Sequence, residues 1–105
     1  MGSANANVNT EMNKLIYLLA ENKIPFEVAA HIFNGEASII ICSPSVENCL
    51  IDAVSHNFSY GGKDGLIEIY DRTANDPFGS IDGWLGAEGA LVHFKRVLKN
   101  YEKEN

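Results

Sequence analysis

Phe26-Glu-Val-Ala-Ala-His-Ile-Phe-Asn-Gly-Glu-Ala-Ser-Ile-Ile-Ile-Cys-Ser43 decides the fold. Asn34-Gly35 is the preferred pair for a two-residue type I′ turn, in which both central residues take positive φ. Folding about it sets Phe33 against Glu36 and, at the far end, Phe26 against Ser43. In that register Phe26, Val28, Ala30 and Ile32 share a face with Ala37, Ile39 and Ile41. Glu27, Ala29, His31 and Phe33 share the other face with Glu36, Ser38, Ile40 and Cys42. One face is apolar and the other mixed, the pattern of an antiparallel sheet covered mainly on one side.

The elements that cover it lie at the two ends of the chain. Met12, Leu15, Ile16 and Leu19 recur at helical spacing after Thr10, which is placed to cap, with Glu11 in the first turn. Asn22 suits a left-handed C-terminal position and Pro25 forbids continuation, so the first helix is expected over about 11–21. Near the other end Ala87, Leu91, Phe94, Leu98 and Tyr101 form an apolar stripe flanked by Ala90 and Val97. Gly86 serves as its N-cap, basic residues crowd its C-terminal half, and Trp84 is expected to anchor it on the core. Gly89 in its first turn costs about 0.5–1 kcal/mol relative to alanine.

Between hairpin and last helix the signals are mixed. Ser43-Pro44-Ser45 ends the second strand. Val46, Cys49, Leu50, Ala53 and Val54 fit a helix capped by Ser45; Leu50, Val54 and Phe58 also fit alternate sites of a strand, with Asp52 on their face. Strand is preferred. Leu66-Ile-Glu-Ile-Tyr70 alternates and is β-branched, which favours a strand over a helical turn, and Thr73–Asp82 reads as a loop. Ser59-Tyr-Gly-Gly-Lys-Asp-Gly65 sets three glycines beside an aromatic ring, so local backbone geometry is specified there.

The 105 residues make one domain with a single core. No apolar run approaches the ~20 residues that span a bilayer. Met1–Asn9 have neither a basic start nor an apolar run, so the chain is expected to be cytoplasmic, and these residues are set aside as disordered or tag-like. The domain is expected over 10–105. Cys42 and Cys49 are then expected as reduced thiols. Net charge is −6, and the segment from His93 onward is locally basic, so the rest of the chain is more acidic still. Such a body repels phosphate backbones, which excludes direct nucleic-acid binding, and attracts a protein with a basic surface.

Ile-Pro-Phe-Glu27, Ser59-Tyr-Gly-Gly62, Gly65-Leu-Ile-Glu-Ile69 and Gly83-Trp-Leu85, in that order, resemble small uncharacterised phage and prophage proteins of low-GC Gram-positive bacteria. The likeness spans about residues 12–100. Gly86 and Gly89 stand where that pattern usually has Thr and often has Glu, so the capping box at the last helix is lost. The resemblance implies a phage context and carries over no catalytic residue.

The residues of four chemistries occur in the chain without the patterns those chemistries need. His31, His56, His93, Cys42 and Cys49 have no short metal-ligand spacing. Cys49 and His56 lie on one segment without a third orienting group. Asp52, Glu68, Asp71, Asp76 and Asp82 lack the lysine that follows the acidic pair in metal-dependent nucleases. Gly61-Gly-Lys-Asp-Gly65 lacks the spacing of a phosphate loop. Tyr60, Gly61, Gly62, Lys63 and Asp64 remain as a candidate recognition loop, with Tyr60, Lys63 and an exposed glycine backbone as its contacts.

The expected fold is α+β: a three- to four-stranded, mainly antiparallel sheet packed by N- and C-terminal helices, in the order α-β-β-β-(β)-α. The expected function is non-catalytic, a phage-derived binding protein acting on a host or phage protein, with inhibition of a host defence protein as its sharpest form. No cofactor, metal or membrane partner is implied. The alternative is a homo-oligomer that binds a small, nucleotide-like molecule near residues 58–65.

Overall fold

The computed structural model describes residues 2–75 and 80–104, with side chains over 10–75 and 80–99. The elements run α1 (Gly2–Glu21), β1 (Glu27–Phe33), β2 (Glu36–Pro44), β3 (Cys49–Val54), β4 (Ile67–Asp71), β5 (Ser80–Leu85) and α2 (Ala87–Glu104). A single 3₁₀ turn, Gly62–Asp64, precedes β4. The strands form one antiparallel meander in the order β1-β2-β3-β4-β5. The α+β class and the terminal helices agree with the sequence; the strand count is five rather than three or four.

The hairpin forms in the expected register, from Phe33 opposite Glu36 to Glu27 opposite Cys42. Asn34 and Gly35 both take positive φ, 50° and 78°, as a type I′ turn requires. β3 resolves the ambiguous segment as a strand, because Ile51 and Ala53 are buried on the helix side of the sheet. The added strand, β5, occupies the end of the stretch expected to be loop. Its sequence Ser-Ile-Asp-Gly-Trp-Leu does not alternate cleanly, and its register shifts opposite Ile67/Ile69.

α1 begins ahead of Thr10, which therefore lies inside the helix rather than at its cap. The tag-like reading of 1–9 falls on residues whose side chains lie outside the described ones. The helix ends in a Schellman motif: Ile24 N–H donates to Leu19 O and Lys23 N–H to Ala20 O. The left-handed residue is Lys23 (φ 57°) rather than Asn22, whose side-chain amide instead donates to Leu18 O at 2.7 Å.

One core lies between the helices and the middle of the sheet. Met12, Leu15 and Leu19 meet Ala87, Ala90, Phe94, Val97 and Leu98 over Ile41, Ile51, Ala53, Ile67 and Ile69. Glu11 caps the neighbouring helix, accepting the Ala87 N–H at 2.8 Å, so a carboxylate from α1 replaces the capping box that α2 lacks. Lys14 pairs with Glu88 at 2.7 Å across the same helix contact. On this face Arg96 Nη1 donates to Asp71 at 3.0 Å, and Arg96 Nη2 lies 3.0 Å from His93 Nδ1. A guanidinium has no acceptor, so Nδ1 accepts and Nε2–H donates to Asp82, 3.0 Å away. That chain ties α2 to both β4 and β5.

Candidate binding surface

The segment after β3 is folded on itself by short-range bonds. His56 N–H donates to Ser59 Oγ, and the Ser59 hydroxyl donates back to His56 O at 2.8 Å. Gly62 N–H donates to Ser59 O, and Asp64 and Leu66 N–H both donate to Gly61 O. Gly61 and Gly65 take φ of 86° and 74° on either side of the 3₁₀ turn. A Cβ at Gly62 would stand 1.7 Å from His56 O, so no other residue fits there without moving the loop.

The glycines therefore act inward. Gly61, Gly62 and Gly65 are buried, which corrects the expectation of an exposed glycine backbone. Lys63 and Asp64 are exposed, and Tyr60 is 52% exposed. The Tyr60 ring stacks on Trp84 with centroids 5.3 Å apart and planes 14° from parallel. Trp84, 61% exposed, is thus a surface residue and not the expected core anchor. Its own φ of 54° turns the indole outward, while Leu85 and Ala87 pack inward in its place. Trp84 N–H donates to Tyr60 O, Tyr60 N–H donates to Glu68 Oε1 at 2.9 Å, and both rings are held by these backbone bonds. The sequence reading named Tyr60 and missed Trp84, on which its ring stacks.

The helix-free face of the sheet adjoins this loop. It holds a hollow of about 240 Å³ whose lining includes His31, Phe33, His56, Phe58, Tyr70 and Arg72. Phe33 lies 5.2 Å from the His56 ring and 5.7 Å from Phe58, and His31 lies 5.4 Å from His56. Asp52, 4% exposed, forms the floor and takes two hydrogen bonds from Arg72, at 2.8 and 3.0 Å. The Arg72 guanidinium also sits 4.6 Å over the Tyr70 ring. Burial lifts the Asp52 carboxyl above the ordinary range against the pull of Arg72. His56 is pushed down by burial and by His31, and its Nδ1 accepts the Phe58 N–H at 3.1 Å. The hint for this surface was the mixed face of the hairpin; the strand pairing that completes it is non-local.

The remaining sequence candidates separate. Cys42 and Cys49 approach each other beside Asp52 and Arg72, and burial, then the Cys49 contact, push the Cys42 thiol up to about 12. It is therefore protonated at neutral pH and a poor nucleophile. Cys49 opens β3 and His56 lies two residues past its end, and the five strand steps from Cys49 to Val54 alone span about 17 Å at ~3.3 Å per residue. Asp52 and Glu68 line the open face, Asp71 and Asp82 bond to α2 on the other, and Asp76 lies outside the described residues. Among the described residues no three His, Cys, Asp or Glu side chains are grouped to hold a metal ion, and no helix is long and apolar enough to cross a membrane. Comparison with protein-family models, curated proteins and solved structures finds no match.

Proposed function

We propose that the protein is a non-catalytic binding module that docks on a protein partner through Tyr60 and Trp84. The observation that carries this reading is the stacked, half-exposed ring pair formed by Tyr60, on a loop whose backbone is bonded within itself, and Trp84 of β5. Large aromatic side chains dominate interface energetics, and rings already held in place lose little entropy on binding. The net charge of −6 selects a partner with a basic surface, whose lysine or arginine groups can also stack on the indole. In the phage context that the sequence resembles, such a partner is a host or phage protein, and inhibition of a host defence protein is its sharpest form.

Calorimetric titration of the full chain with an arginine-rich peptide tests this. The double variant Tyr60→Ala/Trp84→Ala should bind at least ~10-fold more weakly with an unchanged circular dichroism spectrum. Wild-type affinity should fall as salt rises. Equal affinity in the double variant would remove the ring pair from the interface.

A small-molecule reading rests on the hollow of the open face, where imidazoles, rings and a guanidinium converge. Its volume, about 240 Å³, falls below the roughly 300–1,000 Å³ of ordinary ligand sites, and the hollow beside Tyr60, Lys63 and Trp84, about 310 Å³, reaches only their lower limit, which favours the docking surface. A native mass above a whole number of chains would reverse that preference.

A further inference from the structure

The two edges of the sheet are built differently. β5 carries a register shift, Asp82, Gly83 and a left-handed Trp84, all features that discourage strand addition. β1 runs seven residues without a bulge, proline or lysine, and Glu27 and His31 are its only titratable residues. Its helix-side residues are also uncovered: Val28 is 43% and Ile32 73% exposed, and Ala30 is exposed as well, as is Ala37 beside Ile32 on β2.

The two-residue turn fixes which backbone groups face outward. Phe33 and Glu36 flank it and exchange the first pair of hydrogen bonds, so His31, Ala29 and Glu27 also bond to β2. The N–H and C=O groups of Val28, Ala30 and Ile32 therefore point away from the sheet. Among the described residues, the outward-facing backbone groups of this edge and its uncovered apolar side chains belong to the same three residues.

We propose that the chain pairs with a second copy of itself through β1, antiparallel about Ala30, joining two five-stranded sheets into one of ten. In this register Ala30 meets Ala30 of the second copy at the two-fold axis, the smallest side chain where two must meet. Val28 meets Ile32, covering both exposed apolar residues. Glu27 lies opposite Phe33 rather than opposite itself, so like charges are kept apart. Self-complementarity of hydrogen bonding, apolar surface and charge about one residue is what singles out a second copy over a foreign strand.

Sedimentation equilibrium of the full chain over about 1 µM to 1 mM should show a two-chain mass, this being the range of weak to moderate association. Ala30→Lys should return the single-chain mass, or weaken pairing at least ~10-fold, because two ammonium groups would meet at the axis. That variant lowers the net negative charge of each copy, so general repulsion cannot explain the loss. Ala30→Pro should act alike, since the N–H it removes faces outward. Both variants should keep the wild-type circular dichroism spectrum. Register is read separately with glutathione disulfide as oxidant. Ala30→Cys should form an interchain disulfide, its two thiols passing two protons and two electrons to that oxidant, because facing Cα atoms lie ~5.5 Å apart. Val28→Cys, whose partner is Ile32, should not. A single-chain mass throughout, an unweakened Ala30→Lys dimer, or equal cross-linking of Val28→Cys would each overturn the proposal.

Discussion

Asp52 and Asp71 lie on neighbouring strands, are 4% and 5% exposed, and each meets one arginine, yet they are held in opposite ways. Asp71 faces the helices. Burial pushes its carboxyl up, but the Thr73 hydroxyl, the Thr73 N–H and Arg96 together bring it below the ordinary carboxylate range. Asp52 faces the open side, where burial outweighs the bonds from Arg72. Heavier desolvation at Asp52 and the additional donors at Asp71, rather than the presence of an arginine, decide which carboxylate is favoured. Asp71 thus fastens α2 to the sheet, whereas Asp52 is a charge kept at some cost on the face that carries the candidate surface.

Removing the better-held carboxylate should have the larger effect. Asp71→Ala deletes three hydrogen bonds to a charged group and should cost about 2–3 kcal/mol. For a domain of this size that lowers the melting temperature by of order 10 °C. The sign of its pH dependence follows from the depressed pKa. Its stabilisation is present above the unfolded value of 3.8 and is lost as pH falls through the folded value. Chemical denaturation at neutral and acidic pH should show the wild type and Asp71→Ala converging in acid. A loss under about 0.5 kcal/mol at neutral pH would mean that these bonds merely exchange with water.

Asp52→Asn should cost less than about 1 kcal/mol at neutral pH, because the neutral amide keeps the shape and escapes the desolvation of a charge. Here the sign is reversed. The folded pKa lies above 3.8, so the penalty on the wild-type carboxylate is relieved as pH falls through the folded value toward 3.8. The wild type should therefore gain on Asp52→Asn over that window. An Asp52→Asn penalty as large as that of Asp71→Ala would erase the distinction between the two faces.

What the sequence disclosed follows the same division between local and non-local causes. The hairpin was legible because Asn34-Gly35 sets its own geometry and register propagates from it. The helical stripes were legible because burial on one side leaves a periodic trace. β5 was not, since a bulge and a left-handed Trp84 destroy the alternation that marks a strand. Within 59–65 the need for glycine was plain, but its reason, the approach of His56 O to Gly62, comes from a folded loop. The open face combines His31, Asp52, His56, Tyr70 and Arg72 from three stretches of the chain, and no spacing encodes that meeting.

The smallest effect expected concerns His56, and it separates the faces by pH. Its folded pKa lies below the unfolded value of 6.5, pushed down by burial and by His31, while Glu36 and Glu68 act the other way. Between the two values the unfolded chain holds more protons, so stability rises with pH across that window. It is lost as pH falls from 6.5 through the folded value. His56→Asn offers an amide oxygen near the position of Nδ1 to accept the Phe58 N–H, yet cannot titrate. Melting temperatures measured between pH 7.5 and 5.5 should therefore fall less steeply in His56→Asn than in the wild type. The difference should be smaller than the effect of Asp52→Asn, because Glu36 and Glu68 offset part of the downward push on His56. Parallel slopes would mean that the imidazole finds enough water in the open hollow to charge as readily as in the unfolded chain. The helix-free face would then be wetter than the packing of His31, Phe33 and Phe58 around it implies.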